Sequence, residues 1–177
     1  MINGKIWDSA YTLSRYLISH PHLVASKRVL DLSAGVGILS LVAASSGAFK
    51  VVATELRKAM RLLYDNIHHS GYENAETHVL EWGDVIAVDK IGRFDVILGS
   101  DIVYEVEHFD ALVYTLRMLV SADGIVMLMY KVRGMNDEEV MKFVDRMKVF
   151  FEVCEGLVDE FISGVGCNLL ICKLQQQ

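Results

Sequence analysis

Proline is nearly missing from this chain. Pro21 is the only one in 177 residues, so glycine, asparagine and aspartate must mark the turns. Cysteine is scarce as well. Cys154, Cys167 and Cys172 make an odd count, with no CxxC and no Cys/His cluster at metal-ligand spacing. That pattern supports neither a disulfide framework nor a metal site, and Cys167 and Cys172 read as reduced core residues. Positive charge is in deficit, with 17 Lys and Arg against 23 Asp and Glu and a net charge of −6. This balance argues against a large nucleic-acid footprint and suits a positively charged target. A membrane-length apolar run is also lacking. The longest uncharged stretch, 32–49, holds three Gly and four Ser and reads as a buried turn and helix. No apolar segment follows Met1, so no signal peptide is expected, and a cytoplasmic or nuclear location is. There is no internal repeat, low-complexity tract or linker.

What is present is core. The chain is 53% apolar, enough for one domain over 1–177 with a real interior. Strands are predicted at 28–32, 50–55, 76–82, 94–100, 124–131, 149–156 and 166–174. Helices are predicted at 8–20 (Ala10, Leu13, Leu17 and Ile18 inward, Asp8 or Ser9 as cap), 37–47, 57–71 (Met60, Leu63, Tyr64 and Ile67 inward), 106–120 and 136–151. The alternation reads as five strand-then-helix units, and so as a parallel sheet covered on both faces. The last two strands are joined by LVDEFISGVG (157–166), too short for a crossover helix, so they should be antiparallel. The expected fold is α/β: a Rossmann-like, seven-stranded, mostly parallel sheet with an antiparallel final hairpin.

VLDLSAGVGILSL (29–41) is strand, Gly35-Val36-Gly37 turn, then helix. Ligands of such sheets bind at the carboxyl ends of the strands, and glycine admits them close to the backbone. Glu55 ends the second strand, 18 residues beyond Gly37, where a carboxylate accepts hydrogen bonds from ribose hydroxyls. The plain alternative is a turn kept for tight helix–strand packing. Between nucleosides, Asp31 just before the turn disfavours a pyrophosphate and suits a cationic or amino-bearing ligand. S-adenosylmethionine has a sulfonium, an amino group and no phosphate.

FDVILGSDIVYE (94–105) ends a buried strand on Ser100, Asp101 and Tyr104. In this fold the tip lies beside strand one. Ile102-Val103 stands where methyltransferases of planar amines carry Pro-Pro. A carboxylate and a phenol ring fit an aliphatic ammonium instead: the first orients it, and the second offers a cation–π wall of about 0.5–2 kcal/mol. An Asp helix cap and a packed Tyr are the plain alternative.

Taken together, GKIWDSA (4–10), LDLSAGVG, VVATE, NIHHSG, VLEWGD (79–84), ILGSDIVYE and YKVRG (130–134) resemble the Asp-x-x-Tyr seven-β-strand protein-lysine methyltransferases, methyltransferase family 16. The resemblance covers nearly the whole chain. It implies S-adenosylmethionine as methyl donor and a lysine-bearing protein as substrate. It places Trp7 against the donor, Gly35 and Gly37 along it by backbone, and Glu55 on the ribose. Trp82 and Gly83 flank the adenine, Ser100 lines the methionine end, and Asp101 with Tyr104 meet the lysine. Two residues depart from the family pattern: Ser33 where glycine is usual, narrowing the amino-acid end, and Asp31 where glutamate is common. An N-terminal extension is almost lacking, so looser recognition or a helper partner is expected. Arg133 reads as a solvated loop residue or a substrate contact. His20, His22, His78 and His108 form no cluster in the sequence. Competing readings are methylation of a small amine or RNA, a cofactor-binding module without turnover, and a nicotinamide dehydrogenase.

Overall fold

The computed structural model describes residues 4–132, 135–155 and 167–175; the side chains of Cys154 and Glu155 are outside that description, as are Arg133 and the 157–166 connection. Seven strands form one sheet in the order β3-β2-β1-β4-β5-β7-β6. They are β1 (Arg28–Asp31), β2 (Lys50–Glu55), β3 (Ala75–Val79), β4 (Phe94–Ser100), β5 (Val120–Tyr130), β6 (Phe151–Glu155) and β7 (Asn168–Leu174). The first five are parallel, and β7 runs antiparallel to both β5 and β6. The helices are α1 (Asp8–Ser19), α2 (Ile38–Ser45), α3 (Met60–His69), α4 (Val85–Ile91), α5 (Phe109–Leu119) and α6 (Asp137–Lys148).

The period-two alternation of a strand explains why β1, β4 and β5 read as unbroken apolar runs. Val29, Val96, Leu98, Met127 and Met129 face one layer, with Leu13 and Leu17 of α1 and Leu39 and Ala43 of α2. Leu30, Ile97, Val126 and Leu128 face the other, with Leu112 and Leu116 of α5 and Phe143 of α6. Every residue in that second set is nearly or wholly buried.

Several predicted elements change. Helix α4 was not foreseen. Its seven residues are too few for a clear apolar period, and its start is fixed by Asp84, whose side chain accepts from the Ile86 and Ala87 amides. It supplies the crossover from β3 to β4. The strand predicted over 76–82 ends at Val79, which leaves Trp82 and Gly83 in the loop that follows. Strand β5 begins at Val120, with a register shift against β4 between Phe94 and Val96. Neither Asp8 nor Ser9 caps α1, because Trp7 occupies the cap position and makes no side-chain capping bond there. Ile18 and Tyr64 lie on the solvent side of their helices, 62% and 51% exposed. The start of α6 is a capping box: Asn136 Oδ1 accepts from the Glu139 amide and Glu139 Oε2 from the Asn136 amide, both at 2.9 Å.

The strand order sets the site. From β1 the chain crosses outward to β2 and β3, then returns to β4 on the other side of β1 and continues to β5. The crevice left at the carboxyl ends of β1 and β4 is the switch point where open α/β sheets take ligands.

Candidate active site

A cavity of about 500 Å³ opens at that switch point. The tip of each of the five parallel strands contributes: Ser33 and Gly35 after β1, Glu55 and Leu56 at β2, Glu81 and Trp82 after β3, Ser100, Asp101 and Tyr104 at β4, and Lys131 after β5. Trp7, at the start of α1, closes one side. Eight of the predicted site residues therefore meet in one cavity: Trp7, Ser33, Gly35, Glu55, Trp82, Ser100, Asp101 and Tyr104. Three do not line it, namely Asp31, Gly37 and Gly83.

Asp31 is corrected most clearly. It is 1% exposed, and its Oδ2 accepts from the Ser40 amide at 2.9 Å and the Ser40 hydroxyl at 2.5 Å. The carboxyl group serves the N-terminus of α2 from below the glycine turn and is turned away from the cavity. Burial raises its pKa from 3.8 to about 6, against the lowering effect of the two Ser40 bonds, and the Glu55 charge adds a smaller push upward. A raised pKa means that the folded protein holds this proton more tightly than the unfolded chain. The stabilisation is complete below the unfolded value and is lost as pH rises through about 6. A rise of that size corresponds to on the order of 3 kcal/mol. Asp31→Asn is accordingly expected to flatten the fall in Tm between pH 4 and 7, relative to the unmodified chain. Parallel Tm–pH curves for the two proteins would remove Asp31 as the group responsible.

Gly37 and Gly83 have structural tasks. Gly37 has φ +87° and caps α2, and a Cβ on it would meet Leu63 Cδ1 at 2.8 Å. The Gly83 amide donates to Thr115 Oγ1 at 2.9 Å, which docks the β3 loop on α5. Gly35 is the one that faces the cavity. Its φ is +58° and no atom lies within 4 Å of a built Cβ, so a side chain there would occupy ligand space.

Glu55 is partly buried, and Oε2 accepts from the Leu56 amide. Burial raises its pKa, while the amide bond and the nearby Lys58 charge pull the other way. Asp101 is held from three sides. Its own amide donates to Met129 O at 2.8 Å, and its Oδ1 accepts from Ser9 Oγ at 2.7 Å and from the Lys131 amide at 3.2 Å. Beside it, Lys131 Nζ pairs with Asp8 Oδ2 at 3.1 Å, so α1 and the end of β5 grip the same strand tip. The backbone at Asp101 has φ +52°, a left-handed conformation that costs a non-glycine residue about 1–3 kcal/mol and recurs at functional positions. Tyr104 is half exposed. Its ring lies 6.5 Å from that of Trp82, and burial, then Glu105 and Glu55, raise its phenol pKa. The phenol therefore stays protonated and cannot act as a base near neutrality.

Ser9 and Lys131 escaped sequence reasoning as site residues. Ser9 stood in the segment GKIWDSA and Lys131 in YKVRG, but nothing local to either pointed toward residue 101. His108, which formed no cluster in the sequence, lines the cavity, with its ring 6.4 Å from Trp82 and Nε2 3.1 Å from Glu105 Oε2. The donor set fits S-adenosylmethionine: an acidic acceptor at β2, a side-chain-free approach at Gly35, and aromatic walls with carboxylates for a cationic ligand.

Sheet order and site together define a Rossmann-like methyltransferase. A putative S-adenosylmethionine-dependent methyltransferase from Streptococcus mutans superposes with a TM-score of 0.70 at 16% identity, over 96% of this chain and 50% of that one, so the present chain spans half its length. The family model described as lysine methyltransferase matches residues 1–149, and the chain belongs to that family. Among its relatives, "Protein N-lysine methyltransferase METTL21A" of Danio rerio is 36% identical over 158 residues, covering 87% of this chain and 71% of the relative. "EEF1A lysine methyltransferase 3" of Mus musculus is 33% identical over 143 residues, covering 78% and 60%. No described helix is long and apolar enough to cross a membrane.

Proposed function

We propose that this chain transfers a methyl group from S-adenosylmethionine to the side-chain amine of a lysine in a protein substrate. The observation that carries this reading is the meeting of Asp101 and Tyr104 with Glu55, Gly35 and Ser33 in one cavity at the switch point. Family membership supports it.

When bound, S-adenosylmethionine supplies a methyl group made electrophilic by a sulfonium. Glu55 would hold the ribose, Gly35 would let the chain approach closely, and Trp7 and Trp82 would wall the donor. Asp101 draws the lysine ammonium in by charge-assisted hydrogen bonding and fixes its direction. The Tyr104 ring forms a face for the cation. A free lysine ammonium has a pKa near ~10.4 and must shed a proton before nitrogen can attack. Transfer from water into the part of the cavity beside Tyr104, the proposed lysine channel, favours the neutral amine. Asp101 acts as a positioner, because its negative charge favours the protonated amine. Proximity supplies most of the acceleration.

The test incubates the purified chain with methyl-tritiated donor and an extract of its own cells from which the endogenous copy has been deleted. Label is expected in protein and recovered as methyl-lysine after acid hydrolysis. Label confined to RNA or to small molecules would overturn the reading. In calorimetry S-adenosylhomocysteine should bind and NAD should not. Glu55→Gln should weaken S-adenosylhomocysteine about tenfold, since a charge-assisted pair of bonds becomes a neutral one. An unchanged Kd would take Glu55 off the ribose.

A further inference from the structure

We propose that Ser33 is an orienting residue. Its hydroxyl fixes the Trp82 indole as a wall of the donor cavity and, through that ring, sets the side of the lysine channel formed by Tyr104. Naming the ligand rests on the methyltransferase reading above, whereas the geometry of the two side chains does not.

Trp82 Nε1 lies 3.1 Å from Ser33 Oγ. An indole N–H only donates, so the serine oxygen is the acceptor. The bond joins the tip of β1 to the loop after β3 and bridges over β2, the strand between them, where Glu55 stands. Ser33 is placed for this at a conformational cost. Its φ is +57°, in the left-handed region, where glycine is the least costly residue. The backbone is kept there by the Ser33 amide, which donates to Thr54 Oγ1 at 3.3 Å, while the Thr54 hydroxyl donates to Asp31 O at 3.2 Å. A glycine would hold this turn with less strain but would leave the indole N–H without its acceptor.

The consequence spreads through the ring. Trp82 is tilted 58° against Tyr104 at 6.5 Å and meets His108 edge-on at 6.4 Å. An indole that turns to find water for its N–H would withdraw from both. The donor wall and the lysine channel are thus set by one hydroxyl at the strand-one tip.

Ser33→Gly and Ser33→Ala separate hydroxyl from backbone, since both remove the oxygen and only glycine relieves the positive φ. The chain has two tryptophans, so in a Trp7→Phe background all tryptophan emission comes from Trp82. Compared within that background, both variants are expected to shift Trp82 emission and to increase its quenching by acrylamide. The Kd for S-adenosylhomocysteine should rise about fivefold in both. Unchanged emission and quenching in both would overturn the proposal. So would an effect in alanine alone with glycine behaving as serine, because the backbone would then be the cause. If the unmodified chain, with Trp7 in place, fails to bind S-adenosylhomocysteine, the methyltransferase reading falls, and the fluorescence comparison still decides the orienting role.

Discussion

Asp101→Ala is expected to lower methyl incorporation about a hundredfold or more, while S-adenosylhomocysteine binds close to normally. The size follows from the role. A residue that holds the attacking nitrogen in line carries its effect in kcat, and an ångström of misplacement costs about a hundredfold. The cofactor is expected to bind nearly unchanged because Gly35, Glu55 and Trp82, to which most donor contacts are assigned, are not anchored through residue 101; only Trp7, two residues before the Ser9 that bonds Asp101, is coupled to it. Asp101→Asn sharpens the test. The amide oxygen can still accept from the Ser9 hydroxyl, which lies 2.7 Å from Oδ1 in the unmodified chain, so the anchoring survives while the charge is lost. Activity that falls in alanine and returns in asparagine would assign the effect to shape. Equal loss in both assigns it to charge. Label that persists undiminished in alanine would remove Asp101 from the mechanism.

Gly37→Ala should cost about 3 kcal/mol of folding stability, a large part of a typical 5–15. Two penalties combine. The added Cβ would sit 2.8 Å from Leu63 Cδ1 and 3.2 Å from Ile67 Cδ1, at a backbone φ of +87°. Leu63 is 0% exposed and Ile67 is 4% exposed, so neither can swing into open space. The urea midpoint should fall at constant m, the mark of a pure stability change. Gly35→Ala is the contrast. Its Cβ would meet nothing within 4 Å, so it carries only the cost of a φ of +58°, and its methyl group enters the cavity instead. It should lose less stability and more S-adenosylhomocysteine affinity. Equal stability losses for the two alanines would mean that packing against α3 contributes nothing at Gly37.

Much of the sheet was readable because burial on both faces writes a dense signal. Val96-Ile97-Leu98 and Val126-Met127-Leu128 can hardly be anything but central strands, and the short 157–166 connection requires the last pair to run antiparallel. Helix α5 was readable by its stripe of Phe109, Leu112, Val113 and Leu116, all buried. Helix α4 was not, since Val85 and Ile86 at its start are 60% and 68% exposed and only Val88 is buried, which leaves no periodic face to detect. The same limit explains Ile18 and Tyr64. An apolar residue at a helix edge looks inward by spacing alone, and packing turned both outward.

The residue order by itself determined the chemistry on offer: a glycine turn after strand one, an acid closing strand two, and a carboxylate with a phenol three residues on at the tip of strand four. These are local patterns, and local conformation is enough to place them at strand ends. The folded chain alone decided which neighbour each group answers to. Asp31 turned down to Ser40 instead of up to a ligand, Ser9 reached Asp101 across 92 residues, and Trp82 found Ser33 across 49. A hydrogen bond reaches about 3 Å and ignores distance along the chain, so such pairings exist only once the layers have closed.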